Sequence, residues 1–383
     1  MNLLDRHIFK SVLFTCIATV ALFTFVLTLG NVIKDLLSHA LAGQFPMLTF
    51  VKLTALWIPA MAVYALPMGM LTGVLLTLGR LSADTEITAM RAAGVSLVRI
   101  AWPVCLLGFV GAAMALYINF ESMPWARVQY ERDLAEAVRT SPLSFIVPKT
   151  FIRDFRGRVV YVAEKNGQEL REIWLWELDP QGRVKRLIRA ERGRIDFDEA
   201  TNSLIPTLLH AKIEERDADN PEDFSKAPMI GSVDRFEQVR IPLEGYLRGP
   251  SSIRIKQEWL TYDELRAEMA RLAAEPVPPP EKRKEAERNR IKLSVTLQEK
   301  FNLSLAVFSF AMIGVPLGIK VSRRETSANL GLALFLVLGY YMLTVMVKWL
   351  DRHPEYRPDL LLWIPNLLFI ALGVWLFSRI DRK

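Results

Sequence analysis

LTALWIPAMAVYALPMGMLTGVLLTLG, running from Leu53 to Gly79, contains no Asp, Glu, Lys or Arg. A helix crossing about 30 Å of hydrocarbon needs about 20 such residues, so this run reads as a membrane span. Five further stretches are of the same kind: Ser11 to Ile33, Ile100 to Phe120, Phe301 to Ile319, Thr326 to Val347 and Leu360 to Ser378. None of the six contains an ionisable Asp, Glu, Lys or Arg. The first has too long an apolar core, and no small-residue cleavage site after it, for a signal peptide, so it is expected to remain as a span. The expected fold class is an α-helical integral membrane protein with six spans, three on either side of an excursion from about Glu121 to Lys300.

Composition agrees. Of 383 residues 51% are hydrophobic and 23% charged, and the mean hydropathy is +0.20. The net charge of +7 is spread along the chain, so membrane lipid is its expected counter-charge and no nucleic-acid partner is implied. Cys16 and Cys105 both lie in apolar runs and read as small hydrophobes.

Lys and Arg near span ends are retained on the cytoplasmic side. The short segments holding Arg6, Arg80, Arg91, Lys320 and Arg379 carry about eleven of them, and those holding Lys34, Lys52 and Lys348 about five. Both termini are therefore expected inside and the excursion outside. Trp102, Trp125, Trp349 and Trp363 fall at expected span ends, where an amphipathic ring suits the head-group layer.

Within the excursion, Ser144 to Leu247 favours strands. Val159 to Val162 and Ile173 to Leu178 are β-branched and aromatic runs, and Asp179-Pro180-Gln181-Gly182 between such runs is a turn. A compact all-β domain of about 100 residues fits. Thr261 and Glu264 have the spacing of a capping box opening a helix to about Ala274. Pro276, Pro278, Pro279 and Pro280 end it, and Glu281 to Arg290 reads as a solvated connector.

Marks of catalysis are missing. There is no G-x-x-x-x-G-K-[ST] loop, no H-E-x-x-H and no G-x-S-x-G elbow, and the four histidines are far apart. No catalytic residue, metal site or cofactor is assigned, and any ATP hydrolysis would belong to another chain. Spans free of charge also disfavour an ion-coupled carrier. Pro59, Pro67 and Pro316 interrupt span helices, and Gly69 and Gly73 form a G-x-x-x-G pair suited to close helix approach within the bundle or against a partner.

The loop after the second span reads LSADTEITAMRAAG, Leu81 to Gly94. Ser82 is a candidate N-cap, Asp84 and Glu86 complement a positive helix end, and Gly94 is a natural stop. One face carries Ala83, Ile87 and Met90, the other Asp84, Thr88 and Arg91. Such a helix either lies on the membrane surface or docks a cytoplasmic partner.

The run from Leu78 to Gly94 resembles the signature of the LptF/LptG permeases of the lipopolysaccharide-export ABC transporter. Val315-Pro316-Leu317-Gly318 and Trp363-Ile364-Pro365-Asn366 resemble that family at matching places, as does the three-plus-three layout. The resemblance implies residues 1–120 as three spans with a coupling helix over 82–94. It implies a periplasmic β-jellyroll-like domain over 121–260, a helix and linker over 261–300, and three spans over 301–383. It further implies a second LptF/LptG-type permease, a cytoplasmic ABC ATPase dimer that uses ATP, and jellyroll bridge proteins in the periplasm. Lipopolysaccharide would then be taken from the inner membrane of a bacterium and passed to that bridge. The coupling helix would offer Asp84, Glu86, Ile87, Met90, Arg91 and Gly94 to the ATPase, and Lys34 would meet a lipid phosphate. Another lipid or glycolipid as cargo, or a membrane-anchored sensor or scaffold, are the competing expectations. On those, Glu86 is a solvated helix-end carboxylate and Lys34 a lysine reaching to the interface.

Overall fold

A computed structural model describes residues 3–35, 47–140, 148–152, 157–167, 169–179, 181–198, 203–216, 227–236, 241–242, 256–274, 283–320, 326–349 and 356–381. Among the described residues six helical stretches are long and apolar enough to cross a membrane: Leu3–Ile33, Met47–Ala83, Leu97–Leu134, Ala286–Lys320, Gly331–Trp349 and Pro358–Ile380. The chain is a multi-pass membrane protein with an antiparallel β-sheet inserted between its third and fourth spans.

The helices are α1 (Leu3–Asp35), α2 (Met47–Ala83), α3 (Glu86–Ala92), α4 (Leu97–Tyr117) and α5 (Met123–Thr140), with a π-helical turn over Ile118–Ser122 joining the last two. After the sheet come α6 (Tyr262–Ala274), α7 (Arg283–Lys320), α8 (Thr326–Trp349), α9 (Pro358–Leu361) and α10 (Ile364–Asp381). Two ends differ from the sequence expectation. The third span does not stop at Phe120; it continues as α5, because Ala126, Tyr130 and Asp133 keep a buried stripe at helical spacing. The region 123–140 is thus helix rather than part of a β domain.

The second difference is at α7. Glu281 and Lys282 lie outside the described residues, as do Pro276, Pro278, Pro279 and Pro280, but from Arg283 the supposed connector is the first part of a 38-residue helix. Its Lys, Arg and Glu are good helix formers, and Leu293 anchors the segment at 0% exposure. Lys300, directly before the apolar run from Phe301, consequently lies inside the same helix and is 4% exposed.

The bundle is one compact unit, comprising residues 1–31, 55–128 and 255–383. Its inner helices are α2 and α7, whose apolar windows are 78% and 72% buried, against 22% for α1 and 17% for the span in α8. Gly69 and Gly73 serve contacts inside this chain. A Cβ on Gly73 would stand 2.6 Å from Cys16 Sγ and 2.8 Å from Cys16 Cα, so α1 lies directly on the α2 backbone. Thr19 Oγ1 donates to Gly69 O over 2.7 Å at the same crossing. The motif residue Asn366 is fully buried on α10. Its Nδ2 donates to Asn302 O at 2.8 Å, and its Oδ1 accepts from Ser309 Oγ at 2.9 Å and Tyr340 Oη at 3.3 Å, tying α7, α8 and α10. A buried amide satisfied from three sides costs nothing to keep and fixes helix register.

The second unit contains the sheet, in residues 32–54 and 129–254. Its strands are β1 (Phe151–Ile152), β2 (Arg158–Asn166), β3 (Glu169–Leu178), β4 (Val184–Asp198), β5 (Ser203–Glu215), β6 (Met229–Phe236) and β7 (Ile241–Pro242). They pair antiparallel in sequence order from β1 to β6, and β7 pairs the start of β5. Val160 and Val162, Ile173 and Leu175, and Ile188 and Ala190 line the buried face with the period of two that strands impose. The alternation slips by one residue at Glu172 on β3 and His210 on β5, both at positive φ (51° and 53°). Ala163 on β2, Glu191 on β4 and Asp234 on β6 are skipped in the pairing too, so an irregularity crosses five strands. The β3–β4 turn forms where expected, although Pro180 itself lies outside the described residues. Asp179 Oδ1 accepts from Gln181 N and Arg183 N at 3.0 and 2.8 Å, and Gly182 takes a φ of +85°. Elsewhere in this unit Lys52 Nζ donates to Asp133 Oδ1 over 3.0 Å, joining the start of α2 to α5.

Candidate functional site

The loop between α2 and α4 is built by three local decisions. α2 runs on to Ala83 because Leu78 and Leu81 are buried against the bundle. Ser82 is therefore a residue of α2 and not the cap of the next helix. Its Oγ donates instead to Ile319 O at the end of α7, 3.0 Å away. Thr85 then takes a left-handed φ of 62° and turns the chain into α3. α3 lasts two turns and ends in a Schellman arrangement: Gly94 N donates to Arg91 O and Val95 N to Met90 O, with Gly94 at φ +84°. Ser96 caps α4, its Oγ accepting from Arg99 N. The loop has a fixed shape with almost no slack between elements.

Within α3, Ile87 and Met90 share one face and Thr88 and Arg91 the other as expected, whereas Ala83 ends α2 and Asp84 lies in the turn before α3. Ile87 is 3% exposed and sits among Ile8, Leu78, Leu81, Leu97 and Ile100, and Met90 packs on the same cluster. Asp84, Glu86, Thr88, Arg91 and Gly94 are exposed. Because Ile87 and Met90 are used within the bundle, the face left outside carries Glu86, Thr88 and Arg91 with only the small side chains of Ala89 and Ala92 between them. A helix lying on lipid needs the reverse. The Glu86 carboxylate is about half exposed, with His7 Nε2 of α1 at 3.8 Å. Asp84, Glu86 and Arg91 therefore form a small, rigidly carried charged surface suited to contact a protein.

Lys34 lies in the last turn of α1, and its side chain is outside the described residues.

A second polar region lay outside the sequence expectation. Towards the opposite end of the bundle, Tyr64, Asn119, Glu258, Thr296, Glu299, Lys300 and Lys348 line a cavity of about 100 Å³ with Val63, Met123 and Leu303. Lys348 Nζ and Glu299 Oε1 pair at 2.5 Å. The sequence signal was present: Glu299 and Lys300 sit directly before the apolar run from Phe301, and Lys348 directly after Val347. Placing span boundaries at the first charge put all three outside the bundle.

Six spans, an inserted antiparallel sheet and a short helix held between the second and third spans define a multi-pass membrane protein with a separate β module and an exposed charged patch in a loop. Over residues 6–379 the sequence matches the family described as "Lipopolysaccharide export system permease LptF/LptG", and the chain belongs to that family. Similar proteins include the lipopolysaccharide export system permease protein LptF of Escherichia coli K12. It is 23% identical over 343 residues, which cover 88% of this chain and 85% of that protein. LptF of Shigella flexneri gives the same figures. LptG of Haemophilus influenzae is 25% identical over 201 residues, covering 52% of this chain and 56% of its own.

Proposed function

We propose that this chain is one permease half of an ATP-driven exporter that takes lipopolysaccharide from the bacterial inner membrane and passes it towards the outer membrane. Its own part is conduction and coupling. A separate cytoplasmic ATPase pair docks on the loop surface of Asp84, Glu86, Met90 and Arg91, and a second permease of the family completes the path. The β-sheet unit lies in the periplasm and hands the lipid to bridge proteins of similar build. Both termini are cytoplasmic in this arrangement, supported by the excess of Lys and Arg on the loop side. Lys34, at the other end of the first span, offers an ammonium to a lipid phosphate.

The observation that carries this reading is the polar exposed face of α3, anchored through Ile87 so that force on Glu86 reaches the bundle. A charge pair made there on docking and then truncated costs about 2 to 5 kcal/mol. The test is purification from the native membrane in mild detergent, with and without Glu86→Arg. A P-loop ATPase, a second six-span chain and lipopolysaccharide are expected to accompany the wild type, with the ATPase lost or uncoupled in the variant. A chain that arrives alone and is indifferent to Glu86→Arg would move an anchored scaffold to the front, and a different bound lipid would change the cargo.

A further inference from the structure

α7 is tied at two levels to segments far away in sequence. At its end near the loop, Ser82 Oγ donates to Ile319 O over 3.0 Å. The contact of α7 with α2 below that bond is close: a Cβ on Gly318 would stand 2.9 Å from Leu78 Cβ, and one on Gly314 would stand 3.0 Å from Val74 Cγ1. α2 and α7 are therefore in register through Val74, Leu78 and Ser82, one turn apart, on Gly314, Gly318 and Ile319. Displacement of the loop along the bundle axis pulls on α7 as well as α2.

About five turns further along α7 is Lys300. Its Nζ donates to Asn119 O at 3.0 Å and to Leu260 O at 2.8 Å, and Asn119 Nδ2 donates back to Lys300 O at 3.0 Å. Asn119 lies in the π-turn between α4 and α5, where the wider winding sends the amide of Met123 to Ile118 O. A buried carbonyl in such a turn needs a donor from elsewhere, and Lys300 supplies it. Leu260 stands at the other side of the junction, between the 3-10 turn Gln257–Trp259 and α6, where the chain re-enters the bundle after the excursion. Three rings close around the knot: Phe120 meets Phe301 at 5.0 Å and Tyr262 at 5.5 Å between centroids. Three segments thus meet at one ammonium, two of whose N–H groups are given to carbonyls rather than to a carboxylate.

We infer that Lys300 is a positioning residue for export: it clamps the re-entry segment Gln257–Leu260 and the π-turn onto α7, so that α7 carries loop movement to the place where the excursion rejoins the bundle. The inference rests on the exporter reading. A merely structural clamp would hold the segment equally in every nucleotide state, and a relay would not.

The experiment is hydrogen exchange on the co-purified complex, with and without a non-hydrolysable ATP analogue, followed at the amides of residues 256–265. In the wild type their exchange should change roughly tenfold between the two states, as expected when a local opening is gained or lost. Lys300→Met should leave the amides fast in both states and abolish ATP-dependent extraction of lipopolysaccharide from proteoliposomes while ATP turnover continues. If Lys300→Met does not accumulate, Ser82→Ala, at the far end of α7, should shrink the nucleotide-dependent difference in the same amides. Equal exchange in both states of the wild type, or normal extraction by Lys300→Met, overturns the role. Absence of any accompanying ATPase overturns the exporter reading, and that outcome is distinct from an ATPase-bound complex whose re-entry segment ignores nucleotide.

Discussion

Ile87 is the residue that fixes α3 to the bundle. With its side chain 3% exposed among five other apolar residues, α3 cannot tilt without opening the core. Truncation to alanine leaves a cavity, and Ile87→Ala should cost about 2 to 5 kcal/mol, read from thermal unfolding of the full chain in detergent. Thr88→Ala, one residue away on the exposed face, should stay within about 0.5 kcal/mol. The common face of Ile87 and Met90 was legible from spacing alone, because a helix of any length puts residues three apart on one face, but its turn into the bundle rather than towards the membrane surface or a partner was not. Ser82 was not. A serine before an acidic turn is a good cap by every local criterion, and its actual acceptor, Ile319 O, is 237 residues away. Lys300 escaped for a related reason: a lysine looks exposed until two remote carbonyls and the Phe120 ring are seen beside it.

Turns and crossings between elements can be tested on their own. In the β3–β4 hairpin the Asp179 carboxyl is held below the usual carboxylate range. Desolvation alone would raise it, but the Arg183 amide and guanidinium and the Gln181 amide together outweigh that. A depressed folded value means that the charged form stabilises the turn fully above the ordinary Asp value of about 4, and that this contribution is lost as pH falls through the lower folded value. Asp179→Asn should therefore remove the acid-dependent part of hairpin protection, measured by exchange of the Leu178 and Arg183 amides between about pH 5 and pH 2. The α1–α2 crossing gives a second test. A side chain at Gly73 would meet the Cys16 backbone, which no rotamer relieves, and Gly73→Val should destabilise the bundle by about 1 to 3 kcal/mol in the same thermal assay. The strands and this hairpin were readable because alternation and turn chemistry are local. The slip at Glu172 and His210 was not, since a glutamate rarely takes a positive φ and both stand inside runs that read as continuous strand. α5 and the start of α7 were missed because a hydropathy run ends at the first charge, whereas a helix ends only where its hydrogen bonds do.

At the scale of the whole molecule, the six spans and their order could be read from apolar length, and the division into bundle and sheet from the change of period between them. Orientation is the arrangement to measure. With Cys16 and Cys105 replaced, a cysteine at Thr88 should react with an impermeant maleimide only from the cytoplasmic side, and one at Glu164 only from the periplasmic side, both sites being exposed. Labelling in the opposite sense would reverse the proposed topology. Apolar length could not reveal which spans are inner and which outer, because lipid and protein neighbours both accept leucine. That distinction is strong: the windows of α2 and α7 are mostly enclosed, those of α1 and α8 mostly open. Two kinds of instruction are therefore written in the same letters. At Leu71, Leu75 and Phe310, all at 0% exposure, the sequence specifies a volume and a shape, while at Phe335, Leu338 and Met342 it specifies only oiliness. A library of apolar-for-apolar exchanges should find the second set almost interchangeable and the first nearly immutable, so the outer helices are where this chain is free to drift.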